Sequence, residues 1–186
     1  MALIRSFIAI PLPERLCQQI GTFQQTLQQE LPELRTGSAH NLHLTLNFLG
    51  DQSETQLARI GRFMLSVAGS QPPFMLSLQG LGTFPSAKRP RVVWIGVQPL
   101  EPIVLLQKKL TTGLTRYGCP AGDSPYRPHL TLGRFRRPPT TTEAILTSRD
   151  IDFGPTLVKS IVLYNSRLTP QGAVHKPLTV AEFQTR

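Results

Sequence analysis

The chain has 186 residues, with 20 Lys+Arg against 11 Asp+Glu and a net charge of +9 at pH 7. Apolar residues make up 40% and charged residues 17%, which supports a core without staples and argues against wholesale disorder. No apolar run approaches the roughly 20 residues of a membrane helix, no small-residue cleavage site follows the first apolar stretch, and two cysteines are too few for a disulfide framework or zinc ribbon. These features lead us to expect a cytoplasmic globular protein without a membrane segment. Its basic balance points to polyanionic partners, nucleic acid or nucleotide first.

Taken in order, the pattern alternates between strand and helix. Ser6 to Ile10 reads as a short apolar strand closed by Pro11 and Pro13. Leu16, Ile20, Phe23, Leu27 and Leu31 then recur at helical spacing, with glutamines between them on the wet face. A strand follows over Leu42 to Leu49, and Ser53 with Gln56 three residues on resembles a capping box. That box opens a helix marked by Leu57, Ile60, Phe63 and Val67, and strands come next over Phe74 to Gln79 and Arg91 to Val97. In the second half a helix runs from Ile103 to Tyr117, a strand from Pro128 to Phe135, and a short helix from Glu143 to Ser148. Strands over Leu157 to Arg167 and Leu178 to Gln184 finish the chain. The order predicts an α+β protein with mostly antiparallel sheets. We expect one domain over residues 1–186, with a lobe junction near Pro99 to Pro102.

Only four histidines are present, His40, His43, His129 and His175, and two of them open the same tetrapeptide. These are His43-Leu44-Thr45-Leu46 and His129-Leu130-Thr131-Leu132, 86 residues apart. From this composition two such matches arise by chance on the order of 0.002 times. On a strand, successive side chains alternate, so His43 and Thr45 share one face while Leu44 and Leu46 share the other. Parity extended along the first motif places Phe48 on the apolar face. His129 and Thr131 are placed in the same way by Leu130 and Leu132. Facing strands would therefore converge two imidazoles and two hydroxyls on one volume. One neutral imidazole can accept a proton from water while one imidazolium donates to a leaving oxygen. The hydroxyls can hold non-bridging phosphate oxygens.

The twin motifs, with the flanks RSFIAIPLP, NLHLTLNFLG, RVVWIGV and YRPHLTLGR, resemble the 2H phosphoesterase superfamily. Within it they are similar to the bacterial RNA 2′,3′-cyclic phosphodiesterases, also called 2′-5′ RNA ligases (the LigT family). The resemblance implies a bilobal fold with two pseudo-symmetric antiparallel sheets facing a central groove, helices outside. It implies metal-independent opening of a 2′,3′-cyclic phosphate to a 2′-phosphate. On the same ground His43 is expected to protonate the departing 3′ oxygen, His129 to activate water, and Thr45 and Thr131 to hold the phosphate. Read from the residues alone, the acid and base roles stay open, because the two motifs are chemically identical.

Arg134 matches a phosphate-contacting arginine of that family. Strict alternation turns it to the apolar face unless Gly133 marks a bulge. Tyr126, in a loop before Arg127 and Pro128, is a candidate base contact, and Arg127 a candidate contact to the RNA backbone, as are Lys88, Arg89, Arg91, Arg136 and Arg137. Phe7 and Trp94 read as core or groove wall. No cofactor is expected: there is no nucleotide-binding GKS or GKT loop, and no metal-ligand spacing joins the histidines to acids or cysteines. The expected partner is RNA ending in a 2′,3′-cyclic phosphate, or a nucleotide, bound by a monomer. Three readings fit: this hydrolysis, the same chemistry on a 2′-5′ linkage or small cyclic nucleotide including reversible 2′-5′ ligation, and a non-catalytic clamp for RNA ends.

Overall fold

The computed structural model describes residues 3–119, 122, 125–170 and 172–184. Its elements are β1 (Ile4–Pro11), α1 (Glu14–Glu30), β2 (Leu34–Thr36), β3 (His43–Gln52), α2 (Glu54–Ala68), β4 (Phe74–Phe84) and β5 (Val92–Gln98). They continue with α3 (Leu100–Leu114), β6 (His129–Phe135), α4 (Glu143–Thr147), β7 (Asp152–Val158), β8 (Ser160–Thr169) and β9 (Gly172–Glu182). A 3-10 turn over Ala39–Asn41 leads into β3, and another over Thr115–Tyr117 follows α3. Among the described residues no helix is long and apolar enough to cross a membrane.

Two antiparallel sheets result, ordered β3-β1-β8-β9 and β2-β6-β5-β4-β7. Strand for strand, β3, β1, β8 and β9 correspond to β6, β5, β4 and β7, so the twin motifs occupy equivalent strands. Among the described residues only β2 has no counterpart. The lobes are not the two halves of the chain. Strands from both ends build the first sheet, the chain visits the second sheet briefly for β2, and its long excursion there begins between α2 and β4 and ends at Lys159, which corrects the expected junction near Pro99. The single predicted strand over Leu157 to Arg167 is likewise two. β7 pairs with β4 in one sheet and β8 with β1 in the other, and only Lys159 separates them.

The helices knit the lobes. α1 follows β1 of the first sheet yet packs on β2 and β7 of the second, with Phe23 edge-on to Phe153 at 5.8 Å. In return α3 follows β5 of the second sheet and reaches β3 of the first, where Asn47 Nδ2 donates to Thr111 Oγ1 at 2.7 Å. Leu16, Ile20 and Leu27 of the predicted stripe are buried as expected, and one connected core joins Ile8, Ile10, Leu44 and Leu163 to Leu78, Ile95, Leu130 and Leu132. The Ser53 cap is made, its hydroxyl accepting from Gln56 N at 3.2 Å. The Gln56 side chain turns instead to the Tyr117 carbonyl.

Both motif strands carry a bulge at the last leucine of the tetrapeptide. Opposite β1, Thr45 pairs with Ala9 and Asn47 with Ile8, leaving Leu46 extra. Opposite β5, Thr131 pairs with Trp94 and Gly133 with Val93, leaving Leu132 extra. The second bulge is secured from outside, because Gln24 of α1, itself buried, donates to the Leu132 carbonyl at 2.7 Å. A buried carbonyl stripped of its donor costs about 1–3 kcal/mol. Gln24→Ala is therefore expected to lower the unfolding free energy by about that amount in denaturant titrations, beyond the effect of truncating an exposed glutamine such as Gln25.

Candidate active site

β3 and β6 run next to each other where the lobes meet. The hydroxyl of Tyr126, just upstream of β6, donates to the Thr45 carbonyl at 3.0 Å and ties the two strands. Each motif histidine is anchored alike. Nδ1 of His43 lies 2.6 Å from the Asn41 carbonyl, and Nδ1 of His129 lies 2.7 Å from the Arg127 carbonyl. A carbonyl only accepts, so Nδ1 carries the hydrogen in both rings and Nε2 is left bare in the neutral form.

The bulges decide what stands beside the motifs. Leu132 and Gly133 both turn to the core, where a Cβ on Gly133 would meet the Leu34 side chain at 2.9 Å. Arg134 is thereby turned onto the face of His129 and Thr131, where it is exposed. The matching bulge sends Asn47 to the helix side and brings Phe48 onto the face of His43 and Thr45. Phe48 is 76% exposed, which corrects the expectation that it packs in the core: parity failed because Leu46 is an extra residue. Phe48 and Arg134 are thus equivalent positions, five residues after each histidine, one aromatic and one cationic.

The register spreads this into rows across each concave face. In the first sheet Phe48 stands beside Phe7, and Phe7 beside Tyr164. In the second, Arg134 stands beside Val92, and Val92 beside Phe84. Phe7 and Trp94 both lie on groove faces. Phe7 stacks on the His43 ring at a centroid separation of 4.7 Å, and Phe84 meets His129 edge-on at 5.0 Å. His175, a histidine outside the twin motifs and given no role by the sequence, also stands edge-on to His43 at 5.2 Å. It arrives there because the first sheet curls: Asn41 Nδ2 donates to the Ala173 carbonyl at 2.6 Å, joining the start of β9 to the turn before β3.

Burial dominates the electrostatics of His43. It pulls the imidazole from 6.5 to about 4, with a further lowering from His175 and an opposing pull from the Asn41 carbonyl. Burial also lowers His175. Beside His129 a cavity of about 660 Å³ opens over Trp94, Gly96 and Gln98, with Tyr126, Arg127 and Arg149 among its walls. Tyr126, the expected base contact, spends its hydroxyl on Thr45, and burial raises its pKa. Arg127 is exposed at the cavity rim. Among the described residues no group of three or more His, Cys, Asp and Glu gathers to hold a metal ion.

Fold and site together define a two-lobed protein with twin histidine–threonine strands facing one groove. The model of the family described as the 2′-5′ RNA ligase superfamily matches residues 12–169. The chain is 33% identical over 181 residues to the RNA 2′,3′-cyclic phosphodiesterase of Methanothermobacter thermautotrophicus, covering 95% of this chain and 97% of that protein. It aligns with the crystal structure of TT0787 of Thermus thermophilus at a TM-score of 0.83 and 28% identity, over 96% of this chain and 97% of that one. It aligns with E. coli LigT complexed with 3′-AMP at 0.76 and 29%, over 98% and 99%. The chain belongs to the 2′-5′ RNA ligase superfamily.

The depressed pKa of His43 links to stability with a definite sign. Below pH 6.5 the unfolded chain takes up this proton before the folded one does, so stability falls as pH drops from 6.5 towards 4. The wild type is expected to lose about 3 kcal/mol more than His43→Gln over that window, measured as the difference between their denaturant curves at each pH.

Proposed function

We propose that this protein hydrolyses the 2′,3′-cyclic phosphate at the end of an RNA strand to a 2′-phosphate, without a metal ion, using His43 and His129 as an acid–base pair. The observation that carries the reading is the shared anchoring of the two rings, each with Nδ1 on the carbonyl two residues upstream. Each Nε2 is then free to exchange a proton with a phosphoryl centre between the motifs. Relatives named RNA 2′,3′-cyclic phosphodiesterase support the substrate.

In this mechanism water enters opposite the 3′ oxygen and loses a proton to Nε2 of His129. The P–O3′ bond breaks as Nε2 of His43 delivers a proton to that oxygen, and the 2′ oxygen stays on phosphorus. Thr45 and Thr131 donate to the non-bridging oxygens, whose charge must be held as the bonds exchange. On the same face Arg134 offers a positive charge to the phosphates of the strand, and the exposed ring of Phe48 offers the base a stacking surface. With a free-state pKa near 4, His43 is neutral at pH 7 before substrate arrives. The phosphodiester anion supplies the opposite charge that lets it hold a proton. The cavity beside His129 has room for a second nucleoside, which favours cleavage or formation of a 2′-5′ junction as a second reading by the same chemistry.

The test uses an oligoribonucleotide ending in a 2′,3′-cyclic phosphate, in EDTA, with product resolved as 2′- or 3′-phosphate. Wild type is expected to give the 2′-phosphate, with kcat reduced about 10²–10⁴-fold in each of His43→Ala and His129→Ala. Tight RNA binding without turnover by wild type would replace the enzyme with a clamp. The pH dependence is a separate expectation. kcat/KM, which reports the free protein, should keep an acidic limb near pH 4, and kcat should show that limb at higher pH once the anion is bound.

A further inference from the structure

Among the described residues β2 is the one strand that breaks the correspondence between the sheets, and Gln28 of α1 holds both of its ends. Gln28 Nε2 donates to the Leu34 carbonyl at 3.2 Å, and Thr36 Oγ1 donates to Gln28 Oε1 at 3.0 Å. Leu34 is fully buried. Arg35 is its exposed residue, and the register sets it directly opposite Arg134. Directly opposed side chains on neighbouring strands share a face and stand about 5 Å apart at Cβ, and like charges in that position destabilise a sheet. The pair continues the row through Val92 to Phe84, whose ring touches His129. Two exposed guanidiniums on a pinned strand pair at the edge of the groove are suited to an anion that bridges them.

We propose that Arg35 and Arg134 form a second phosphate subsite, which takes the internal phosphodiester next to the reacting end and makes the enzyme select RNA strands over mononucleotides. The inference rests on the function proposed above for its reaction, while the binding it describes needs no turnover. Arg35 is a binding residue here and takes no part in proton transfer. The free protein carries the repulsion, and the strand's phosphate relieves it. A mononucleotide, whose only phosphate sits between the histidines, leaves Arg35 unused.

The experiment compares a nucleoside 2′,3′-cyclic phosphate with a tetranucleotide of the same 3′ end, at several salt concentrations, in wild type, Arg35→Gln and Arg35→Lys. In wild type kcat/KM is expected to favour the tetranucleotide. Arg35→Gln should reduce the ratio of tetranucleotide to mononucleotide about tenfold, and lower the salt slope for the tetranucleotide by about 1, the mark of one lost phosphate contact. Arg35→Lys should recover most of the ratio. The thermal midpoint of Arg35→Gln should equal or exceed that of wild type, because a like-charge pair is removed. Fluorescence anisotropy with a labelled tetranucleotide bearing a 3′-phosphate reads the same ratio and slope without turnover. If neither substrate is hydrolysed by wild type, the proposed function fails while anisotropy still decides the subsite. A ratio and salt slope that do not move in Arg35→Gln overturn the inference, as does an equal loss on both ligands.

Discussion

Each motif histidine donates Nδ1–H to the carbonyl two residues before it, and the chemistry assigned to the groove depends on that one bond made twice. It selects the tautomer, fixes the ring plane, and leaves Nε2 as the atom that can act. The acceptor carbonyls lie just upstream of β3 and β6, so the chain must leave its preceding loop at the same angle in both lobes. Much of the surrounding fold serves that entry. Asn41 is tied to β9 through its side chain, Tyr126 is tied to β3 through its hydroxyl, and α1 and α3 each pack on strands of the lobe they do not follow in sequence.

The second constraint is the bulge after each threonine. A regular strand would return the fifth residue after the histidine to the core. One extra leucine returns it to the groove, so the groove face gains a third position in each lobe. The lobes fill this position differently, with Phe48 in one and Arg134 in the other. One end of the groove is therefore aromatic, backed by Phe7 and Tyr164, and the other is cationic. A symmetric frame would thereby suit the proposed substrate, which is itself asymmetric, with a flat base on one part and charged phosphates on another.

Legibility from sequence followed the range of the interactions. The twin HLTL strands and the buried stripes of α1 and α2 could be read because periods of 2.0 and 3.6 are local properties. Arg134 could be considered for the site because Gly133 marks a possible bulge. Phe48 was lost because Asn47 gives no comparable sign and parity alone sends it inward. The division between β7 and β8 was illegible because it rests on the single residue Lys159 and on which sheet edge each strand finds. His175 reaches His43 only through the curl of the first sheet, and Arg35 meets Arg134 only through a three-residue strand. Both depend on partner choice across 132 residues in one case and 99 in the other, which no local pattern encodes.

The central claim is that both histidines present Nε2 to the groove because Nδ1 is held by a backbone carbonyl. Two-bond ¹⁵N–¹H correlation spectra of the ¹⁵N-labelled free protein at neutral pH, with His43 and His129 assigned through Gln variants, measure it directly. The account predicts that the neutral form of both rings is the Nδ1–H tautomer, with Nε2 showing the shift of an unprotonated nitrogen. It further predicts that titrating in a nucleoside 2′-phosphate moves the His43 Nε2 signal towards protonation. An Nε2–H tautomer for either ring in the free protein would contradict it.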